Sequence, residues 1–406
     1  MSEAPTLLAG MKVLSFCHYL QGPAASQYLA DMGADVVKVE PPSGAFERGW
    51  AGADTFVGDV SAFFLSGNRN KRSLAIDLKT PEGKALALDL IAQFDVVLEN
   101  YRPGVMDRLG IGYGAAQAVN PRIVYASATG FGSDGPMRDR PGQDLLVQAR
   151  VGLMAATGDA SVAPTPVGCA AVDQHGASLL AMGVLGAYVR ALKTGRGARV
   201  EASLFNAGID LQAEALALYY SGGRDASVLR RDRRLATWFH QAPYGVYALA
   251  EGFVALSLSS LAAVARALDS EDLAALAALD PYVERDAVAV AVAGALEGRA
   301  YDEVSRAFDR ENVWHQRVQD YDDLRRDPQA IFNGAFREIP VGDGVATVAG
   351  HPLRYDGAAP SRADYALEIG QHTEEVLAEA GLSPDAIRRL AEAGAVTIPN
   401  RKACAA

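Results

Sequence analysis

Asp173 lies in Cys169-Ala170-Ala171-Val172-Asp173-Gln174-His175-Gly176, between an apolar stretch and a helical pattern. A carboxylate at the positive end of a helix is expected to stay ionised, as a carboxylate nucleophile must. The same position suits a helix N-cap, in which the carboxylate accepts a backbone N–H of the first turn. Asp144, in Arg140-Pro141-Gly142-Gln143-Asp144-Leu145, is a second carboxylate at a loop end and reads either way too. Two cationic clusters could hold a polyanionic small molecule. One is Asn68-Arg69-Asn70-Lys71-Arg72; the other runs from Asn100-Tyr101-Arg102 to Arg108. A third basic run, Arg230, Arg231, Arg233 and Arg234, is either a solvated linker or a holder for a second carboxylate. Gly130, Gly132 and Gly135 have the spacing of a dinucleotide loop, but Pro136 and polar residues follow where a helix should start. They read instead as a long loop that leaves room beside a ligand.

The elements that must position these groups alternate in type. Met11–Phe16 reads as a strand, Gln21 to about Met32 as a helix, and Asp35–Glu40 as a strand closed by Pro41-Pro42. The pattern repeats with a strand at 73–77, a helix opening at Pro81, a strand at 94–99 and a strand at 122–128. A long helix is expected from about Asp173 to Leu192, followed by a strand at 199–203. Strands alternating with helices predict an α/β, doubly wound parallel sheet. On the open-sheet rule, residues 100 to 108 then lie past a strand's carboxyl end, where ligands bind. The polar stretch after residue 220 and the Ala/Leu-rich 263–298 set off a smaller domain. The division predicted is 1–220 for a large domain, 221–335 for the small one, and 336–406 returning to the first.

Composition narrows the function. The 406 residues include 38 Lys+Arg against 49 Asp+Glu, a net charge of −11, with 50% hydrophobic residues. This is a folded chain without the cationic surplus a nucleic-acid or anionic-membrane surface needs. No uninterrupted apolar run reaches the length of a bilayer span, and no cationic and apolar leader opens the chain, so a cytoplasmic location is expected. Cys17, Cys169 and Cys404 have neither CxxC spacing nor a pattern with the six histidines, so neither a disulfide framework nor a metal site is expected.

Several motifs occur in one order: Gly10-Met11-Lys12-Val13-Leu14, Gly22-Pro23, Gly33-Ala34-Asp35-Val36-Val37-Lys38-Val39-Glu40-Pro41, Asn70-Lys71-Arg72-Ser73, Glu99-Asn100-Tyr101-Arg102-Pro103-Gly104, the Asp173 segment, Lys193-Thr194-Gly195-Arg196-Gly197 and Gly370-Gln371-His372-Thr373. Together they resemble the class III CoA-transferases, a family that also contains α-methylacyl-CoA racemases. The resemblance implies a Rossmann-like large domain and a smaller α+β domain in an interlocked homodimer. It implies transfer of CoA from an acyl-CoA donor to a free carboxylic acid, with a short dicarboxylate as the expected acceptor. Asp173 would be the nucleophile, passing through a mixed anhydride and an aspartyl-CoA thioester. Gln143, Asp144 and Gln21 would support it. Leu20 and Gln21 would lie near the thioester and Ile76 beside the adenine; Asn100, Tyr101 and Arg102 would border the pantetheine and phosphates, with Arg108 on a phosphate. No cofactor is expected to be tightly bound; CoA enters as part of the substrate.

Two departures from the family pattern bear on the acceptor. Phe63 stands where the oxalate-using members carry a tyrosine, and residues 240–247 lack their glycine run. The alternatives are a racemase and a non-catalytic CoA-binding homologue. In the racemase branch a histidine precedes the Asp144 position, but here Gln143 cannot exchange a proton at neutral pH.

Overall fold

A computed structural model describes residues 6–159 and 163–399; Cys404 lies outside them. The large sheet is built from β1 (Lys12–Phe16), β2 (Asp35–Glu40), β3 (Lys71–Ile76), β4 (Val96–Glu99), β5 (Val124–Thr129), β6 (Ala198–Ser203) and a final short strand, β7 (Val396–Thr397). Its order is β7-β3-β2-β1-β4-β5-β6, with every pairing parallel except β7 on β3. The chain therefore builds outward from β1 on one side, then returns and builds outward on the other. That reversal between β1 and β4 is the topological switch point of a doubly wound sheet.

Alternate residues of each strand fill opposite faces, as the period of two requires. Val13, Val36, Val96, Leu98 and Val124 pack with α1 (Gln21–Asp31) and α3 (Ala171–Thr194). Leu14, Val37, Val97 and Tyr125 point the other way, against α2 (Pro81–Ile91) and the C-terminal helices α4 (Thr373–Glu379) and α5 (Pro384–Glu392). Helices thus cover both faces, which is why adjacent residues of the central strands, such as Val13 and Leu14 or Val36 and Val37, are both apolar. Pro81 stands at the start of α2, with the Thr80 side chain accepting from Gly83 N–H.

The predicted return of the C-terminus is found. His372 N–H donates to Ser73 O at 3.0 Å, Gly370 N–H to Ser73 Oγ at 2.8 Å, and Ala75 N–H to Thr373 Oγ1 at 3.3 Å.

The division of the chain differs from the sequence reading. One compact unit comprises 1–144, 171–207 and 328–406; the other comprises 145–170 and 208–327. The boundaries move because residues 145–170 and 208–220 make their contacts with the second unit. That unit has a three-stranded antiparallel sheet, Gly245–Ala248, Phe253–Leu256 and His315–Arg317, with Phe253–Leu256 central. Tyr247, Val254, Val264, Val288, Val292 and Phe308 form its core with the helices Leu261–Leu268, Arg285–Leu296 and Tyr301–Arg310.

One sequence expectation changes here. The 24-residue α3 is long and apolar enough to meet a membrane-span criterion despite Asp173, Arg190 and Lys193. Its buried face, including Ala177, Leu180, Ala181 and Val184, instead packs on the sheet.

Candidate active site

The site begins where β1 and β4 end. Phe16 and Glu99 are register partners, and the chain segments beyond them diverge over the switch point. They are then tied together: Asn100 Nδ2 donates to His18 O at 2.6 Å while His18 N–H donates to Asn100 Oδ1 at 3.0 Å. Beneath them, buried Lys38 donates to Cys17 O at 2.6 Å and pairs with Glu47 at 2.7 Å. Gly22 is required in the first turn of α1, because a Cβ there would stand 2.5 Å from Cys17 Sγ. Leu20 and Gln21, at the start of α1, are thereby fixed at the sheet's carboxyl edge.

Asp173 arrives at the same edge for a topological reason. α3 feeds into parallel strand β6, so its N-terminus must lie where the strands end. Gly176, one turn after Asp173, faces Gln21, whose Nε2 would stand 2.7 Å from a Cβ at that glycine. Gln21 Nε2 also donates to Ala202 O at 3.5 Å. Gln21 therefore faces α3 one turn beyond Asp173.

Two expectations about Asp173 are corrected. It is not the cap of its helix: α3 starts at Ala171, and the Asp144 carboxylate accepts from Val172 N–H at 2.8 Å and from Asp173 N–H at 3.0 Å. Nor does the helix end keep it fully ionised: burial first, and the neighbouring Asp144 charge second, push its carboxyl up to about 7.

The glycine loop explains how Asp144 gets there. A Cβ on Gly130 would sit 2.7 Å from Gly142 Cα, and one on Gly142 would sit 2.4 Å from Gly130 Cα. The two backbones touch, which brings Gln143 and Asp144 back over the end of β5. Gln143 itself is exposed.

Arg102 and Arg108 are exposed, and among the described residues neither meets a carboxylate. Gly104 turns the chain between them with φ of 80°. The Tyr101 ring packs edge-on to His18 at 4.8 Å. Ile76 is not brought to this surface. It is 1% exposed in the core beneath α2, with Val396 as its strand partner.

Much of the other two basic runs is taken up by the fold. Arg69 makes a bidentate pair with Asp31, Lys71 donates to Pro23 O, Gly67 O and Asn68 Oδ1, and Arg72 meets Asp35, Glu375 and Glu379. A buried lysine with three acceptors uses all three of its N–H donors and has none left for a ligand. In the second unit, Arg231 is buried and donates to the carbonyls of Ala156, Leu229, Leu235 and Ala236, and Arg234 pairs with Asp232 at 2.8 Å. Burial takes Arg231 out of reach of a second carboxylate, while Arg230 and Arg233 stay exposed.

Sequence reasoning quoted Glu99 as the first residue of a motif and gave it no role. Its carboxyl is buried at the end of β4, accepts from Tyr101 N–H at 2.9 Å, and is pushed up to about 7, chiefly by burial. Nothing local marks it, because its burial comes from the adjacent strands. It also overlooked the half-exposed aromatic residues that follow Tyr19.

A sequence model described as CoA-transferase family III matches residues 8–373. The chain is 30% identical over 406 residues to the succinate–glutarate CoA-transferase of Agrobacterium fabrum, covering 92% of this chain and 95% of that protein. It is 31% identical over 399 residues to the succinyl-CoA:mesaconate CoA-transferase of Haloarcula marismortui, covering 92% and 96%. Among solved structures, a CAIB/BAIF family protein from Brucella suis superposes with a TM-score of 0.80 at 26% identity, covering 93% of this chain and 100% of that one.

Proposed function

The chain belongs to CoA-transferase family III, and from that premise we propose that Asp173 carries CoA between an acyl-CoA donor and a free carboxylic acid. The observation that carries the reading is the placement of Asp173. It lies half-buried in the first turn of α3, one turn before the glycine that Gln21 faces, at the carboxyl edge of the sheet.

The chemistry follows from that placement. The Asp173 carboxylate attacks the donor thioester carbonyl, forming an acyl–aspartyl anhydride and releasing the CoA thiolate. The thiolate attacks the aspartyl carbonyl, which frees the donor acid and leaves an aspartyl-CoA thioester. The acceptor carboxylate repeats the two steps in reverse, so Asp173 is regenerated and no group is gained or lost. Gln21 can donate to the oxygen that becomes negative in each tetrahedral intermediate. Arg102 and Arg108 supply charge for the CoA phosphates, and the Asn100–His18 bonds hold the segment that lines the pantetheine. CoA passes through as part of the substrate.

A short dicarboxylate is the acceptor to which the two named relatives point. The chain acts as an interlocked homodimer in this reading, supported by Met182, Val189 and Leu192, apolar residues left exposed along α3. The test is a panel of succinyl-CoA and acetyl-CoA against C4 and C5 dicarboxylates, followed by product mass. Formation of the acceptor's CoA thioester is expected. Exchange of the α-proton of a 2-methylacyl-CoA with D₂O, without any transfer, would contradict it.

A further inference from the structure

A row of aromatic rings runs away from the proposed catalytic edge along the surface of the first unit. Tyr101 packs on His18, His18 on Tyr19 at 5.8 Å, Tyr19 on Phe46 at 5.2 Å, Phe46 stacks on Trp50 at 5.7 Å, and Trp50 meets Phe63 edge-on at 5.1 Å. Three of these rings are open: Tyr19 is 50% exposed, Phe46 52% and Trp50 45%. Ordinary folding does not leave contiguous large aromatics in solvent.

The row is built, not incidental. Tyr19 holds a left-handed backbone, φ of 63°, which a residue with a large side chain adopts only when its surroundings force it. The forcing is visible on both sides. The preceding residue is held by Asn100, and Tyr19 N–H faces Glu47 Oε2 at 3.4 Å, the same carboxylate group that pairs with buried Lys38. Trp50 is anchored by Ser61 Oγ donating to its carbonyl at 2.7 Å. Strain is thus stored in the residue two positions before Gln21, and its effect is to lay a ring on the surface at the thioester end of the site.

We propose that Tyr19, Phe46 and Trp50 form the subsite for the acyl group, and that they select an acid bearing an aromatic ring or a comparably flat apolar substituent. This rests on the CoA-transfer reading above and refines its acceptor class. A flat group can lie offset on the Phe46–Trp50 pair, in the row whose Tyr19 stands two residues before Gln21; a bare C4 or C5 chain leaves these faces wet. The absent Phe63 hydroxyl fits the same view, since the far end of the row offers an apolar edge and no hydrogen bond.

Matched acids isolate the ring. With one acyl-CoA donor, kcat/KM for 3-phenylglutarate is expected to exceed that for glutarate by about tenfold or more. Trp50→Ala should collapse that ratio to within about threefold, and Trp50→Phe should restore most of it, because a ring face is all that is required. Phe46→Leu, at a half-exposed ring, gives a second reading if Trp50→Ala does not fold by circular dichroism. Calorimetric binding of 3-phenylpropionate against propionate asks the same question without turnover. A phenyl preference in binding with no CoA transfer to any acid would defeat the transferase reading and leave the subsite standing. Equal use and equal binding of the matched acids by the unaltered protein would overturn the subsite. So would a Trp50→Ala protein that weakens free CoA and every acyl-CoA alike, which would make the row a CoA contact. Conversion of a dimer to monomer by Trp50→Ala in light scattering would assign the row to a second copy of the chain and equally overturn it.

Discussion

Asp144 accepts the backbone N–H of Asp173 at 3.0 Å and, with the same carboxylate group, opposes ionisation of the Asp173 side chain. One residue therefore fixes the first turn that carries the nucleophile and adds to the effect of burial in raising the pH at which the nucleophile ionises. The second effect follows from the first, since a cap strong enough to hold two N–H groups brings a negative charge to the turn.

Asp144→Asn separates the two roles. The amide oxygen still accepts the N–H groups, but the charge is gone, so the Asp173 carboxyl should fall from about 7 toward its ordinary value. The acid limb of the kcat/KM profile is expected to move down by about one pH unit. Asp144→Ala instead loses the cap and should cost about 0.5 to 2 kcal/mol in thermal unfolding. An acid limb in Asp144→Asn that coincides with the unaltered enzyme's would show that the Asp144 charge does not govern Asp173.

Stability should carry the same signature. The ordinary carboxyl value is 3.8, and in the folded chain Asp173 holds its proton up to about 7. Folding therefore favours the protonated form, and ionisation costs stability progressively from about pH 4 to 7, with the full cost present above that window. Asp173→Asn, which cannot ionise, should be more stable than the unaltered protein by about 1 to 3 kcal/mol at pH 8. The two unfolding curves should converge near pH 4. A constant difference across this range would assign the effect to packing rather than charge.

Much of the scaffold was legible because it is written locally. The predicted strand at 35–40 is β2 to the residue, and Pro81 opens α2 as its missing N–H allows. The apolar strands and their spacing gave the doubly wound class, and the strand order confirms two outward halves. The charges were legible only in part. Arg69 and Lys71 look the same in sequence as Arg102 and Arg108, yet Asp31 lies 38 residues from Arg69, and no local pattern reveals that pair. The cap of α3 was misassigned for the same reason: Asp173 is adjacent to the helix in sequence, while Asp144 reaches it through the Gly130–Gly142 contact. Ile76 shows the limit of carrying a role across by position, since a side chain 1% exposed in the core offers nothing to an adenine.

Gly176→Ala tests the packing of Gln21. The added Cβ would stand 2.7 Å from Gln21 Nε2, the mobile end of a side chain, so the fold should accommodate it by moving the carboxamide. Loss of about tenfold in kcat with an unfolding temperature lowered by only a few degrees is expected, as for displacement of an oxyanion donor. Full activity in this variant would remove Gln21 from the reaction.

Arg102→Ala and Arg108→Ala address the phosphates. Each should raise KM for acyl-CoA by about tenfold with a much smaller change in kcat, because a charge that grips both ground state and transition state alters binding uniformly. The penalty should shrink as salt is raised, since both side chains are exposed. A fall in kcat at unchanged KM would place them at the reacting carbonyl instead.

The covalent step is the centre of the account. The protein is incubated with an acyl-CoA donor, treated with hydroxylamine, digested, and the peptide spanning residues 171–190 is sequenced by mass spectrometry. A hydroxamate at Asp173 that forms only after exposure to acyl-CoA, together with loss of activity, is the expected result. An unmodified Asp173 in a protein that still transfers CoA, or a hydroxamate at another carboxylate such as Asp144, would contradict nucleophilic catalysis by Asp173.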